Sequence, residues 1–376
     1  MTNPMSTALR GPLQWTVVVP ALAMVVLGAT WSNHEGPIVL TLIALFLIGS
    51  VIASVHHAEI VAHRVGEPFG SLILAVAVTV IEVGLIVMLM TSGGDATSTY
   101  ARDTVFAAVM ITFNGIVGLS LLVGGVKHHL VSFNASGTGA ALATVVTLAT
   151  VCLVLPSFTT SAPGNEYTPF QLGFAAVASL LLYGAFVFTQ TVRHRDFFLP
   201  VSSDEFGRFT GLLDEDGDDH ADPPPDNEAW LSLGLLVVSL VSVVGLAKLV
   251  SPTIEDTVKD LGLPYPVVGV IIALLVLAPE SISAVRNATR DRVQNSLNLA
   301  YGSAMASIGL TIPTIAVAMI WLDGPLVLGL EPTQMVLLAC SVAVAILSIV
   351  QGSAKALTGI VHLTLMAAFI VTSLQP

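Results

Sequence analysis

Charged side chains are scarce in this sequence of 376 residues. Asp, Glu, Lys and Arg make up only 10% of the chain, whereas soluble domains have about 25%. Hydrophobic residues reach 54%, and the mean hydropathy is +0.87. A soluble globular fold is therefore excluded, and the composition indicates a protein that crosses a membrane many times.

Cysteine is nearly absent as well. The two cysteines, Cys152 and Cys340, both lie in apolar runs, so a disulfide framework is excluded and buried, unreactive thiols are expected. The formal net charge of −12 argues against nucleic acid as a partner.

Long apolar runs are what the sequence has in place of charge. Each is long enough to cross the hydrocarbon core as a helix, and none alternates like the strands of an outer-membrane barrel. We therefore predict an all-α polytopic membrane protein with the lipid bilayer as its partner. Its eleven transmembrane helices are expected at residues 13–31, 37–58, 68–91, 104–125, 138–155, 169–189, 230–249, 265–285, 296–321, 333–350 and 355–374.

Lys and Arg are divided unevenly between the predicted loops. If the N-terminus is inside, Arg102, Lys248 and Lys259 fall outside, and the other ten of the 13 basic residues fall inside. Because basic residues accumulate on the cytoplasmic side, this bias predicts a cytoplasmic N-terminus and an extracytoplasmic C-terminus.

Two acids stand alone inside apolar runs. Glu82 lies 14 residues after Pro68, and Glu280 lies 14 residues after Pro266. A bare carboxylate is costly at this depth, so each acid must hold a proton or a cation. Two permanently protonated, structural acids would explain the burial but not their matching positions.

The two halves of the chain resemble each other around these acids. Arg102-Asp103 and Arg290-Asp291 each precede a span, and an aromatic residue, Phe113 or Tyr301, follows ten residues after each aspartate. Five helices per half is an odd number, so the repeats must insert in opposite directions, as in secondary transporters.

This pattern predicts four segments. They are residues 1–36, with the N-terminal segment and first helix; 37–190, the first five-helix repeat; 191–229, a cytoplasmic acidic linker; and 230–376, the second five-helix repeat. The linker, with its run Asp214 to Asp219, is either a solvated, disordered connection or a regulatory segment that attracts cations.

Small oxygen-bearing side chains accompany the two acids. We expect them to serve as auxiliary cation ligands or to line the pathway, although helix packing would explain them too. These residues are Thr79, Asn114, Ser281, Asn298, Ser303 and Ser307. Pro279 removes a backbone donor beside Glu280 and frees a carbonyl oxygen, which hard cations such as Ca²⁺ and Na⁺ accept as a ligand.

Titratable residues also cluster at the inner end of the second span. His57, Glu59 and His63 are candidates for pH sensing at the cytoplasmic mouth, since histidine titrates near neutral pH. The alternative is that these side chains only cap helix ends at the membrane interface.

Two runs carry a family resemblance. Glu59-x-x-Ala62-x-Arg64-x-Gly66-Glu67-x-x-Gly70-x-Leu72, ending in Glu82, resembles the first signature repeat of cation/proton exchangers, and the run from Glu280 to Pro313 resembles the second. The segments His56-His57-Ala58-Glu59 and Thr79-Val80-Ile81-Glu82 are most similar to bacterial ChaA-type Ca²⁺:H⁺ antiporters of the calcium/cation antiporter superfamily. The resemblance covers roughly residues 37 to 374.

The resemblance implies an extra first helix followed by two inverted five-helix repeats, located in the bacterial plasma membrane. It implies antiport of Ca²⁺, and of Na⁺ or K⁺, for H⁺ by alternating access, without a cofactor. Glu82 and Glu280 then bind the metal cation and the protons. The common signature has Gly-Asn before each acid, whereas this chain has Val78-Thr79 and Val276-Leu277. An antiporter for Na⁺ or K⁺ with little Ca²⁺ activity therefore stays open.

Other function classes explain less of the sequence. An intramembrane hydrolase could use Ser303 as nucleophile and His362 as base, but it would leave the two midplane acids unexplained. A channel is disfavoured by protonatable acids on proline-containing helices. We therefore expect a transporter and not an enzyme.

The topology is directly testable. A reporter fused after Pro376 should be extracytoplasmic, and one inserted near Asp218 should be cytoplasmic, because the charge bias and the odd number of spans require it. Two reporters on the same side of the membrane would contradict the eleven-span topology.

Overall fold

The computed structural model describes residues 15–32, 36–66, 69–92, 98–199, 224–322 and 324–375. Most of these residues are helical. The helices are α1 (Trp15–Thr30), α2 (Pro37–Val65), α3 (Phe69–Ser92), α4 (Tyr100–Met110), α5 (Val117–His128), α6 (Ala135–Ala149), α7 (Pro169–Phe188), α8 (Asp226–Asp260), α9 (Pro266–Thr289), α10 (Val293–Gly309), α11 (Thr311–Ala318), α12 (Pro332–Ile349) and α13 (Ala356–Leu374). The predicted acidic run Asp214 to Asp219, Glu67 and Pro68 lie outside the described residues.

The predicted all-α membrane architecture is confirmed. Within the described ranges, nine helical segments are long and apolar enough to cross a membrane, and shorter apolar helices at Trp15–Thr30 and Ala75–Thr91 bring the number to eleven. Each predicted span coincides with one of them. The largest difference is at α8, which continues to Asp260 although its apolar run ends near residue 249, because helical hydrogen bonding does not require apolar side chains.

Several spans contain segments that the sequence pattern does not reveal. The π-helical turn Ile111–Ile116 joins α4 to α5, and similar turns at Thr150–Val154 and Thr189–Arg193 follow α6 and α7. Two short strands, β1 (Val131–Ser132) and β2 (Ser353–Ala354), pair antiparallel. Strands of two residues are too short to produce the alternation by which strands are recognised, and none was expected.

The helices form two compact units. Unit 1 consists of Met1–Gly93 and Pro224–Thr257, and unit 2 of Gly94–Pro223 and Val258–Pro376. Unit 1 therefore contains α1, α2, α3 and most of α8, and the remaining helices belong to unit 2. The division into repeats at 37–190 and 230–376 concerns sequence similarity and stays a prediction.

Close helix packing in unit 1 surrounds the helix that carries Glu82. A Cβ atom added at Gly84 would lie 2.6 Å from Val244 Cγ2, so α3 and α8 touch two residues beyond the acid. On the other side of the unit, a Cβ at Gly49 would lie 2.8 Å from Val19 Cγ1, which brings α2 against α1. Small residues allow this approach between membrane helices.

A histidine of α2 supplies a hydrogen bond that the backbone of α1 lacks. Pro20 has no N–H, so the carbonyl of Thr16, four residues earlier, loses its helical donor. The Nε2 atom of His57 on α2 lies 2.9 Å from this carbonyl oxygen and donates to it. Because both groups are buried, the contact replaces a hydrogen bond that water cannot supply there.

In unit 2, glycines bring α5 and α13 into backbone contact. A Cβ at Gly118 would lie 3.0 Å from His362 Cβ and 3.2 Å from the Gly359 carbonyl oxygen. Gly359 and Gly125 are approached still more closely by the facing backbone. Larger residues would separate these helices.

The ends of the helices of unit 2 follow the predicted alternation. Loops predicted on the outside meet at one end, where Val327 N donates to Ser98 O and Gly329 N donates to Asn165 O. Loops predicted on the inside meet at the other end, where β1 pairs with β2 and Lys127 Nζ donates to Thr289 O at 2.8 Å.

The expectation of two buried thiols is half correct. Cys152 is buried, but Cys340 lies on an exposed face of α12, so that part of the expectation is wrong. An apolar run identifies a membrane-spanning helix without telling which face packs against protein.

The contact between His57 and Thr16 predicts a coupled pair of substitutions. His57→Phe keeps the ring but leaves the Thr16 carbonyl unpaired, so it should destabilise the protein by about 1–3 kcal/mol. In a Pro20→Ala background the helical donor returns, and the same substitution should cost clearly less. Thermal unfolding of the four proteins in detergent gives the coupling energy. Additive costs would mean that His57 does not substitute for the missing N–H.

Candidate functional site

Glu82 is buried within unit 1. Only 3% of the residue is exposed, and it lies near the middle of the apolar helix α3. One turn earlier, Thr79 Oγ1 donates its proton to Ala75 O at 2.8 Å. The Thr79 oxygen can therefore only accept further hydrogen bonds or bind a cation, which makes it a suitable neighbour for a metal site and a poor donor to a bare carboxylate.

Glu280 is buried within unit 2. The residue is 6% exposed on α9, directly after Pro279. Pro279 cannot donate to the carbonyl of Leu275, so this oxygen lacks its helical hydrogen bond. Ser281 Oγ donates to Leu277 O at 2.7 Å, which leaves its oxygen as an acceptor. The surroundings of Glu280 thus provide oxygen ligands from backbone and side chain.

Asn114 lies in the π-helical turn of unit 2 and is completely buried. Its Nδ2 donates to Ser341 Oγ at 2.8 Å, and Oδ1 has no hydrogen-bond partner among the described residues. The preceding residue, Phe113, packs edge-on against Tyr301 with ring centroids 5.4 Å apart. These two aromatic residues occupy matching positions in the two predicted repeats, and a pseudo-two-fold axis between such repeats would bring them into contact.

The other predicted auxiliary residues lie on α10. Asn298 Nδ2 donates to Phe198 O at 2.6 Å, and its Oδ1 accepts from Gln294 Nε2 at 2.8 Å. Both ends of this amide are engaged, and the bond to Phe198 fastens the start of the predicted linker to α10. Ser307 is buried and Ser303 half-buried, both on the same helix.

The three candidates for pH sensing differ in their surroundings. His57 is buried and binds the Thr16 carbonyl, whereas Glu59 and His63 are exposed on α2. A role of these residues in pH sensing stays a prediction.

Helix α12 has a polar face that the sequence analysis did not predict. Gln334, Ser341 and Ser348 are seven residues apart and therefore share one helix face. Each contacts a buried polar residue of another helix, at distances of 3.4 Å to Asp103, 2.8 Å to Asn114 and 3.1 Å to His362. The seven-residue spacing was the available signal, but the apolar residues between these positions hide it.

The arrangement has a clear chemical character. Glu82 in unit 1 and Glu280 in unit 2 are each buried in the interior of an apolar helix, and the neighbouring hydroxyl groups of Thr79 and Ser281 act as acceptors because their protons bind the helix backbone. Glu82 with Thr79, and Glu280 with Ser281 and the Leu275 carbonyl, could each hold a proton or a hard cation.

Comparison with known proteins identifies the relatives of this chain. The family described as sodium/calcium exchanger protein matches residues 36–192 and 231–375. A putative ionic transporter, y4hA, of Sinorhizobium fredii is 42% identical over 96% of this chain and 96% of its own length. The sodium-potassium/proton antiporter ChaA of Escherichia coli is 32% identical over 99% of both chains.

Solved structures share the fold at low identity. The structure of native YfkE has a TM-score of 0.73 at 15% identity and covers 96% of this chain and 100% of its own. The H⁺/Ca²⁺ exchanger CAX has a TM-score of 0.66 at 14% identity, with 96% and 92% covered. The two sequence stretches matched by the family include both acids and well over half of the residues, so the chain belongs to the sodium/calcium exchanger protein family.

Proposed function

We propose that the protein is a secondary active antiporter that exchanges a metal cation for protons by alternating access, with Glu82 and Glu280 carrying the exchanged charge. The observation that supports this most strongly is the burial of one acid in each unit, 3% and 6% exposed, on helices long enough to span the bilayer. Relatives named as cation/proton antiporters support the same assignment.

The cost of a bare carboxylate couples the two fluxes in this proposal. An ionised glutamate without a counter-charge is strongly disfavoured in the membrane interior, so each acid holds either a proton or a metal ion. A cation that enters must displace protons, and protons that return must displace the cation. Because an acid that has lost both ions is a bare carboxylate and cannot reorient in the membrane, neither ion crosses without the other.

The transported cation is Ca²⁺ or an alkali-metal ion, and the side chains near the acids favour Na⁺ or K⁺. Ca²⁺ takes six to eight oxygen ligands. At the position three residues before each acid, this chain offers one hydroxyl oxygen, from Thr79, and the apolar side chain of Leu277. The relative ChaA, named a sodium-potassium/proton antiporter, is more similar than the Ca²⁺/H⁺ antiporter of Aphanothece halophytica, which is 25% identical.

The proposal places the protein in the plasma membrane with the N-terminus inside and the C-terminus outside, in accordance with the charge bias. The hydrolase alternative needs His362 to act on Ser303. His362 Nε2 is instead 3.1 Å from Ser348 Oγ, which argues against that role.

Replacing the two acids tests the mechanism. Glu82→Gln and Glu280→Gln keep size and polarity but remove the titratable proton, so each should abolish cation-driven proton movement. Proteoliposomes challenged separately with Ca²⁺, Na⁺ and K⁺ provide the measurement over pH 6 to 9. Glu→Asp at the same positions should be less harmful, since it keeps the charge.

Folded, membrane-inserted protein is the control for both variants. Parent-like exchange in either glutamine variant would remove that residue from the mechanism and would favour a structural, permanently protonated acid.

Restoring the amides tests the choice of cation. Thr79→Asn replaces a hydroxyl oxygen by an amide oxygen, and Leu277→Asn adds an amide oxygen. Together they should raise the ratio of Ca²⁺-driven to Na⁺-driven proton flux about tenfold, the effect of roughly 1.4 kcal/mol. Leu277→Met is the matched control, because it keeps the size of the side chain and adds no oxygen. An unchanged ratio in well-inserted Asn variants would show that these positions do not select the ion.

A further inference from the structure

A buried ion pair closes one end of unit 2. Arg102 and Asp103 lie in the first turn of α4, where they are 4% and 3% exposed. Arg102 Nε is 2.8 Å from Asp103 Oδ1, and Arg102 Nη1 is 3.5 Å from Glu331 Oε1. The Glu331 side chain is 61% exposed at the edge of this cluster. One arginine faces two carboxylates, so the cluster has a formal charge of −1.

One carboxylate oxygen of this cluster lacks a hydrogen-bond partner among the described residues. Asp103 Oδ1 accepts hydrogen bonds from Arg102 Nε and, at 3.4 Å, from Gln334 Nε2. Asp103 Oδ2 is buried and has no hydrogen-bond partner within the described ranges of the chain. A buried, charged oxygen in this condition is costly unless something else binds it.

A cavity of about 70 Å³ lies against Asp103. Its wall also includes Gln334 and the hydroxyl-bearing residues Thr333, Thr372 and Ser373. This space accommodates one ion or two water molecules.

The hydroxyl groups of α13 face the cavity as acceptors. Thr372 Oγ1 donates to Ala368 O at 2.9 Å, and Ser373 Oγ donates to Phe369 O at 2.8 Å. Their protons are used, so neither can donate to Asp103 Oδ2. Three oxygen acceptors, one of them a carboxylate oxygen, thus border one small space, and oxygens of this kind are the ligands that hard cations bind.

We propose that this cavity, here called the Asp103 site, binds an alkali-metal cation through Asp103 Oδ2 and the hydroxyl oxygens of Thr372 and Ser373. The formal charge of −1 matches a monovalent ion. Ca²⁺ takes six to eight oxygen ligands, more than the three oxygens that form the proposed site. Glu331 lies at the mouth and attracts the ion from solvent.

The Asp103 site is separate from Glu280. A Cβ at Gly269 would lie 2.9 Å from the Asp103 carbonyl carbon, so this part of α9 packs directly against the site. Glu280 follows eleven residues later, about 16 Å along the helix. Binding at the Asp103 site therefore does not depend on the exchange proposed above. Its end of unit 2 is the one that the charge bias assigns to the outside, where a cation is released or taken up.

The test uses full-length protein in which Glu82→Gln and Glu280→Gln are combined, so that the two membrane acids cannot bind the ion. Its Tm is measured in NaCl and RbCl against choline chloride at equal ionic strength. We expect a saturable rise in Tm with Na⁺ or Rb⁺, because a ligand that binds only the folded state stabilises it. Asp103→Asn should abolish the rise, whereas Glu166→Gln, an acid at the same end of unit 2, should leave it unchanged.

A second measurement does not depend on the stability of the Asp103 variant. Thr372→Val and Ser373→Ala each remove one ligand oxygen and should raise the half-saturating Na⁺ concentration about tenfold. Infrared difference spectra of the doubly Gln-substituted protein, in Na⁺ minus choline, should show a shifted carboxylate band. Equal effects of Na⁺ and choline, or a Na⁺ response that survives in Asp103→Asn, would overturn the proposal and identify the cavity as a water site. Neither outcome would bear on the proposed exchange mechanism, which the transport assay tests separately.

Discussion

Every polar group of this protein within the bilayer must find its partner inside the protein, because the hydrocarbon core offers none. Many hydroxyl groups meet this requirement by donating to the carbonyl four residues earlier on the same helix. Examples are Thr79, Ser281, Ser341, Ser348 and Thr372. Each such bond uses the proton of the hydroxyl and leaves its oxygen as an acceptor. Helices that carry these residues therefore present surfaces that accept cations and other donors.

The same requirement separates the carboxylates into two kinds. Asp103 has a permanent counter-charge in Arg102, whose guanidinium is always protonated. The predicted spans 68–91 and 265–285, which carry Glu82 and Glu280, contain no Lys or Arg. In the mechanism proposed here, each of these acids takes a proton or a metal ion as its counter-charge. Such a counter-charge can be exchanged, whereas Arg102 cannot leave.

The sequence predicted the spans and the two acids because both depend on local composition. A run of apolar residues suffices to identify a membrane helix, and a lone acid within it is conspicuous. The π-helical turns at Ile111–Ile116 and Thr150–Val154 were not predicted, since an additional residue in a helical turn changes no composition. The hydrogen bond from Asn298 to the Phe198 carbonyl was not predicted either, because it joins residues 100 positions apart. Contacts of this kind depend on tertiary packing and not on local pattern.

The two copies of the Arg-Asp motif differ in their structural surroundings, although the aromatic residues that follow them are in contact. Phe113 and Tyr301, ten residues after each aspartate, touch each other as symmetry-related residues at an axis would. At the helix ends the copies differ: Arg102 and Asp103 are buried, whereas Arg290 and Asp291 are exposed in a turn in which Asp291 has a positive φ of 60°.

The two ends of unit 2 also differ in which charges hold them. At the end with Arg290, the carbonyl of Thr289 at the end of α9 accepts from Lys127 Nζ and lies 3.2 Å from His128 Nε2, so a lysine of the chain supplies positive charge there. At the end with Asp103, Arg102 is shared between two carboxylates, and Asp103 Oδ2 has no hydrogen-bond partner among the described residues. An inverted repeat places equivalent residues at opposite membrane surfaces, which face different ion concentrations. If the two copies of the motif lie at opposite surfaces, as the predicted inverted repeat requires, this difference at the helix ends lets the two surfaces treat cations differently.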